Sequence, residues 1–364
     1  MADILTNLRE LSVGVYFFYP DSIETITPEK FANICKANIQ FFNSTTNISE
    51  SSTFNELELN TIKNGFDLGK KIQENLNISL NNLSIAWKGN EKDDLIDLQI
   101  NNYMFSLKER SFILKNMGLY NLLNILTNTE QFKRGLHIFK QFAPEQFEIW
   151  FKTALKCIKK SKKFNYISEH GYESYGEIQG DNLILCLNDT SITISNFLDI
   201  TYDDFEKQTN SDIREKVFCK WVAEASDDNY YNKKRECAEV AGANLQEYIN
   251  NNLVSQSPSI LQLFNLEQNE YIYAKNDGQN IQISKVPGLK TVDYRNWIVE
   301  KVEVSVPNSQ LNLKTTVKNL ENGKTCTFRN EIRYSHGQFN GTPEAKLYIE
   351  SDDNLEDIIY ISLI

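Results

Sequence analysis

Apolar positions along this chain recur with helical spacing at first and with strand alternation towards the end. Phe31, Ile34, Cys35 and Ile39 predict a helix opened by Pro28, with Thr27 as its N-cap. Asn43–Ser52 is a polar loop, and helical spacing returns from Phe54 to Leu76 through Leu57, Ile62, Phe66, Leu68 and Ile72. Leu83–Gly89 reads as a short strand, whereas residues 1–28 are mixed and show no single period. Leu95–Ile100 alternates apolar and polar residues, Asn101-Asn102 makes a two-residue turn, and Tyr103–Leu107 alternates again. Ser111 is placed to cap a core helix running through Phe112, Ile113, Met117, Leu119, Tyr120, Leu123 and Leu126. Further helices are predicted at Glu130–Phe142 and Pro144–Lys162, then at Tyr202–Ala225 and Asp227–Asn251, with a second hairpin over Asn182–Phe197. After SQSPS at 255–259 the pattern turns to successive strands. These features predict an α/β (α+β) protein with a mixed central sheet flanked by helices. Its helix-rich part spans 1–257 and its β-rich part 258–364.

Composition narrows the classes. The 364 residues are 41% hydrophobic and 12% aromatic, which suits a folded chain with a large core. No apolar run is long enough for a membrane helix, and the start lacks the basic and small-residue features of a signal peptide. The six cysteines are scattered without a CxxC pair, so reduced thiols and a cytoplasmic location are expected. Three histidines without paired spacing offer no zinc site, and neither GxxxxGK[ST] nor GxGxxG is present to bind a nucleotide cofactor. The net charge of −11 argues against nonspecific nucleic-acid binding over the whole surface. A local basic run does exist at Lys156, Lys159, Lys160, Lys162 and Lys163. It reads as a solvated helix C-terminus, with phosphate contact by Lys159 and Lys160 as the functional alternative.

Chemistry concentrates in the first hairpin. Asn tolerates positive φ, so an Asn-Asn pair suits the primed turns that match strand twist. That turn sets Ile100 opposite Tyr103 and Asp97 opposite Ser106. Side chains alternate along a strand, so Asp97, Ser106 and Lys108 share one face, with Lys108 diagonal to Asp97. An acid and a lysine on neighbouring strands are the minimum set for a divalent metal beside a phosphate. A cross-strand salt bridge on a solvated hairpin is the plainer interpretation.

With its preceding strand and flanking helices, this hairpin resembles the PD-(D/E)XK nuclease superfamily, and within it the type II restriction endonucleases. Asp97-Leu98-Gln99-Ile100 would be the first strand of the motif, and Ser106-Leu107-Lys108 would hold its acid-x-Lys positions. Two departures stand out. No proline precedes Asp97, and serine occupies the acid position. The second carboxylate must then come from elsewhere: Glu58 or Glu109 is expected, with Glu56 and Asp94 as further acids nearby. The resemblance implies Mg²⁺ held by Asp97 and that second acid, Lys108 positioning the attacking hydroxide, and double-stranded DNA as substrate. A homodimer is implied if the DNA site is two-fold symmetric. A nuclease acting on other DNA or RNA, or a non-catalytic interaction protein, are the alternative functions.

A second informative stretch lies near the end. Arg329, Arg333, His336, Gln338 and Asn340 crowd a strand and loop that ends in the turn Asn340-Gly341-Thr342-Pro343. Arg, Gln and Asn suit bidentate contacts with base edges, so this segment is the candidate for DNA recognition. A polar hairpin edge, with Arg–Glu pairs that discourage aggregation, would look the same in sequence.

Overall fold

The computed structural model describes residues 4–20, 25–41, 53–89, 95–109, 113–168, 171–334, 337–340, 343–350, 358–360 and 362–363, and for 113–116 the backbone alone. The polar loop expected at Asn43–Ser52 lies outside the described residues, as do Asp94 and His336.

The first helix, α1 (Ile4–Phe18), is an element the periodicity did not predict. Every residue from Asn7 to Phe17 is buried, so no polar stripe marks an outer face. The helix α2 (Pro28–Asn38) starts as expected, with the Thr27 hydroxyl accepting the Lys30 amide. The third, α3 (Glu56–Leu76), carries a capping box between Asn55 and Glu58. It packs closely along α1. A Cβ on Gly65 would lie 2.5 Å from the Ser12 Cβ and 2.7 Å from the Arg9 carbonyl oxygen, so only glycine permits this approach.

These helices cover one face of a seven-stranded mixed sheet. Its strands are β1 (Ile39–Phe41), β2 (Ile85–Trp87), β3 (Leu98–Ile100) and β4 (Tyr103–Lys108), then β10 (Tyr271–Asn276), β11 (Ile281–Val286) and β16 (Ser362–Leu363), in that spatial order. The pairs β1–β2 and β4–β10 are parallel and the rest antiparallel. Leu98, Ile100, Phe105, Leu107 and Ala274 point into a core shared with Leu8, Leu11, Ile62 and Phe66 of the helices.

The expected Ser111 helix begins later than predicted. After the hairpin the chain forms β5 (Ile113–Gly118) and turns helical only at α4 (Leu119–Thr127), because β5 gains a partner from the far end of the chain. The helix predicted at Glu130–Phe142 is reduced to α5 (Ile138–Phe142), since Gly135 adopts φ +102°. α6 (Pro144–Ser161) follows as expected. Next comes an antiparallel four-stranded meander of β6 (Lys163–Ile167), β7 (Glu173–Gln179), β8 (Asn182–Leu187) and β9 (Thr190–Ser195). The helix expected at Tyr202–Ala225 is broken into α7 (Tyr202–Gln208), α8 (Ser211–Ile213) and α9 (Lys220–Ala225). Asn210 caps α8, and a π-helical turn at Arg214–Cys219 joins α8 to α9. α10 (Asp228–Asn252) runs from an Asp227 N-cap.

A five-stranded sheet completes the molecule, in the order β12 (Trp297–Ser305), β13 (Asn312–Asn319), β14 (Thr325–Arg333), β15 (Glu344–Ile349) and β5. Strands from beyond Pro258 therefore finish the sheet that carries the first hairpin, and a strand from before it edges the C-terminal sheet. The composition change at Pro258 marks a local break, where a 3₁₀ helix starts, but it does not separate two self-contained sheets.

Candidate active site

The hairpin register agrees with the turn argument. Asn101 has φ +52°, Ile100 pairs with Tyr103, and Leu98 pairs with Phe105. Asp97 stands just before β3, its amide donating to the Phe105 carbonyl at 2.9 Å. Its Oδ2 accepts the Leu107 amide at 2.6 Å and the Lys108 ammonium at 3.2 Å. Ser106 is fully buried, and its hydroxyl finds no hydrogen-bond partner among the described residues. The structure thus brings Asp97 and Lys108 together, while the Asp97 amide meets Phe105, not the expected Ser106.

A second buried carboxylate interacts with Asp97, and sequence reasoning did not single it out. Glu10 of α1 is 3% exposed, and its Oε2 accepts the Trp87 indole N–H at 2.9 Å. Gly89 makes room for it, since a Cβ there would lie 2.1 Å from that oxygen. Burial above all, and then the charge of Asp97, raise Glu10 from 4.5 to about 8. Burial likewise raises Asp97, against the lowering influence of Lys108, the Leu107 amide and Arg9. Two buried acids, each shifted upwards, thus lie within electrostatic reach of one another, with Lys108 and Arg9 as the nearby cations.

The acids expected from sequence are used differently. Glu58 is turned back on its own helix N-terminus, where it accepts the Asn55 amide at 2.8 Å. The leading influences on Asp97 are burial, Lys108, the Leu107 amide and Arg9, without Glu58. Glu109 follows Lys108 directly and accepts from Arg9 Nη1 at 3.0 Å, so it neutralises the residue beside Glu10 instead of facing Asp97. Among the described residues, Asn7 Oδ1, Arg9 Nε and Ser106 Oγ are buried without hydrogen-bond partners.

The donor set suits a hard divalent cation. Among the described residues no three His, Cys, Asp or Glu side chains gather into a ligand group. Mg²⁺ is commonly held by one or two carboxylates and retains several waters, which matches what Glu10 and Asp97 offer. A cation near them would offset both the desolvation and the repulsion that raise these acids above the ordinary carboxylate range.

The far-end residues separate into two groups. Arg329, Glu331 and Arg333 share the outer face of β14, as expected from alternation, while Asn330 and Ile332 are buried behind them. Arg329 lies over the Tyr348 ring at 4.5 Å and pairs with Glu350, and Arg333 pairs with Glu331 at 2.8 Å. Gln338 and Asn340 are not presented outwards. The Gln338 carbonyl meets His137 Nε2 at 3.1 Å and its side chain accepts from the Tyr230 hydroxyl at 3.2 Å. Asn340 is buried and accepts from Arg214 Nε at 3.1 Å. Between them Phe339 fills an aromatic cluster with Trp150 and Phe151, so the loop is an inward plug that cannot offer these amides to base edges. In the basic run, Lys159 is exposed and Lys160 pairs with Asp227 at 2.8 Å. No protein-family model, curated protein or solved structure matches this chain.

Proposed function

We propose that this protein is a Mg²⁺-dependent phosphodiesterase that hydrolyses double-stranded DNA, with Glu10, Asp97 and Lys108 as its reacting side chains. The observation that carries this reading is the pair of buried carboxylates, Glu10 and Asp97, set beside Lys108 at one end of the inner strands of a mixed sheet. Magnesium bound there would supply an activated water and charge to offset that growing on the phosphoryl oxygens. Asp97 and Glu10 would hold the cation, and Lys108, which now bonds to Asp97, would orient the attacking water and stabilise the charge that grows on the phosphoryl oxygens. Arg9, anchored by Glu109, keeps the α1 end of the site in place.

This arrangement supports the resemblance to PD-(D/E)XK nucleases, with the missing strand carboxylate replaced by one from a helix. Action as a sequence-specific, restriction-type endonuclease goes with it, and a homodimer is the form a two-fold DNA site would require. The absence of a disulfide among the described residues favours the cytoplasm, and no helix among them is long and apolar enough to cross a membrane. A second reading has its own observation. Asp97 is already satisfied by Leu107 and Lys108, as in a purely structural ion pair of a non-catalytic interaction protein.

Incubation of the purified chain with plasmid DNA and Mg²⁺ decides between them. Discrete fragments, abolished by chelator and by Lys108→Ala, are expected. Smearing would indicate a nuclease without sequence preference. Absence of Mg²⁺-dependent cleavage of any DNA or RNA, or wild-type cleavage by Lys108→Ala, would leave the ion-pair reading standing.

A further inference from the structure

A cavity of about 320 Å³ lies on the other sheet, between α10, β14, β15 and the loop before β13. It shares no residue with the Glu10–Asp97 site. Its charged lining is Lys234, Arg333, Lys346 and Glu344, and part of its wall is apolar, formed by Phe139 and Tyr334. Those two rings stack at 5.5 Å with 14° between their planes.

The cations outnumber their partners. Arg333 is paired with Glu331 at 2.8 Å and stands opposite Glu344 across the strands. Lys234 and Lys346 have neither a carboxylate nor a hydrogen-bond acceptor among the described residues. Lys234 is half-buried, and burial alone holds its ammonium below the ordinary lysine pKa, with no opposing charge to offset the cost. A desolvated, unpaired ammonium facing a cavity is unfavourable unless an anion fills it. With Arg333 answered by Glu331, the two lysines against the single Glu344 leave the lining net positive, which suits an anion such as a phosphate monoester, roughly −1.5 to −2 at neutral pH. The volume falls at the small end of ligand pockets, roughly 300–1,000 Å³, where a mononucleotide fits and a folded macromolecule does not.

We propose that this cavity binds a small phosphate-bearing molecule of mononucleotide size, with Lys234 and Lys346 holding the phosphate and the Phe139–Tyr334 wall meeting the apolar part. Such a molecule is a free nucleotide, and the test separates it from the phosphorylated end of a nucleic-acid strand.

Isothermal titration of the full chain is carried out with inorganic phosphate, with AMP and TMP, and with a short oligonucleotide bearing a terminal phosphate. Saturable one-site binding of phosphate is expected in the millimolar range, and of a mononucleotide at least ~10-fold more tightly. Lys234→Met should weaken binding by ~10-fold or more and raise the melting temperature of the ligand-free protein, because it removes an uncompensated charge. Lys346→Gln should weaken binding without that gain, and Asp97→Asn should bind as the wild type does. Oligonucleotide binding as tight as that of a mononucleotide would assign the site to a strand end and overturn the small-ligand proposal. So would phosphate binding with no gain for either mononucleotide, no saturable binding at all, unchanged affinity in Lys234→Met, or a lower ligand-free melting temperature for that variant.

Discussion

Glu10→Gln tests the site without rebuilding it. The substitution removes one charge and preserves the shape, and the amide oxygen of glutamine can still accept the Trp87 indole N–H that Glu10 now takes at 2.9 Å. Glu10 is raised from 4.5 to about 8, chiefly by burial and then by Asp97. Below pH ~4.5 it is protonated in both the folded and unfolded chains and makes no difference to stability. As the pH rises, the unfolded chain releases this proton and the folded chain does not, so the folded state loses stability until the pH passes about 8. At ~1.4 kcal/mol per pH unit the loss has a ceiling of ~5 kcal/mol. Asp97 shares the repulsion and relaxes when one acid is neutralised, so a gain of ~1–3 kcal/mol for the glutamine variant at pH 8 is the realistic scale. In a chain of this size that corresponds to ~2–5 °C in melting temperature. Thermal melts in chelator across pH 5 to 8 should show the two proteins converging at the acid end and the variant more stable at the basic end. Mg²⁺ should stabilise the wild type and leave the variant unmoved, and cleavage should fall by at least ~100-fold. A variant less stable than wild type at pH 8, or one that keeps the Mg²⁺ shift, would refute both the assignment of Glu10 and the electrostatic argument behind it.

Other substitutions test the surroundings of that site. Gly65→Ala places a Cβ 2.5 Å from Ser12 and 2.7 Å from the Arg9 carbonyl, which should cost ~1–3 kcal/mol in a urea melt. Because the strain falls on the turn of α1 that carries Glu10, cleavage should drop with stability. Asn340→Ala leaves Arg214 Nε without its acceptor and should cost ~1–3 kcal/mol, while DNA affinity in a gel-shift titration stays unchanged. A loss of affinity without a loss of stability would instead return Asn340 to a role in recognition. A fragment ending at residue 257 lacks β10, the parallel neighbour of β4, and leaves β5 unpaired. It should aggregate or lack near-ultraviolet circular dichroism, and a monomeric, sharply melting fragment would show that the N-terminal part folds alone.

Local rules located the hairpin and missed its partner for a single reason. Turn chemistry and alternation act within about a dozen residues, and they suffice to set the hairpin register that carries Lys108 to Asp97. Nothing local says which helix end will approach that face. Glu10 was hidden in a segment whose residues are buried on all sides, so it showed no helical stripe to read. A signal was present all the same: Arg9 and Glu10 are charged neighbours set between apolar residues on both sides, in a stretch with no polar face to receive them. Glu58 misled in the opposite way. Its place three residues after Asn55 is a capping-box spacing, and that local use accounts for it fully. Gln338 and Asn340 show the same limit, because a polar loop that plugs an interior and one that reads DNA have the same composition. The strand exchange across Pro258 was illegible because pairing between β4 and β10 spans more than 160 residues of chain, far beyond any periodicity.

The distribution of charge separates structural pairs from functional ones. On the β-sheet surface, Arg329, Arg333 and Lys314 each meet a glutamate, and such exposed pairs add little stability and leave no charge unanswered. At Glu10 and Asp97, and again at Lys234, the chain does the opposite. It buries a group whose charge nothing nearby fully offsets, two acids in one place and one ammonium in the other. Each arrangement lowers the stability of the empty protein, and each is relieved by a ligand of the opposite sign. If both sites are functional, neutral substitutions at Glu10 and at Lys234 should each raise the melting temperature of the ligand-free protein. They should also abolish stabilisation by different ligands, Mg²⁺ in the first case and phosphate in the second. Sites some distance apart with no shared partners act independently, so the two gains should add in the double variant. A double variant no more stable than either single one would mean that the two charges answer each other across the molecule, and that neither is waiting for a ligand.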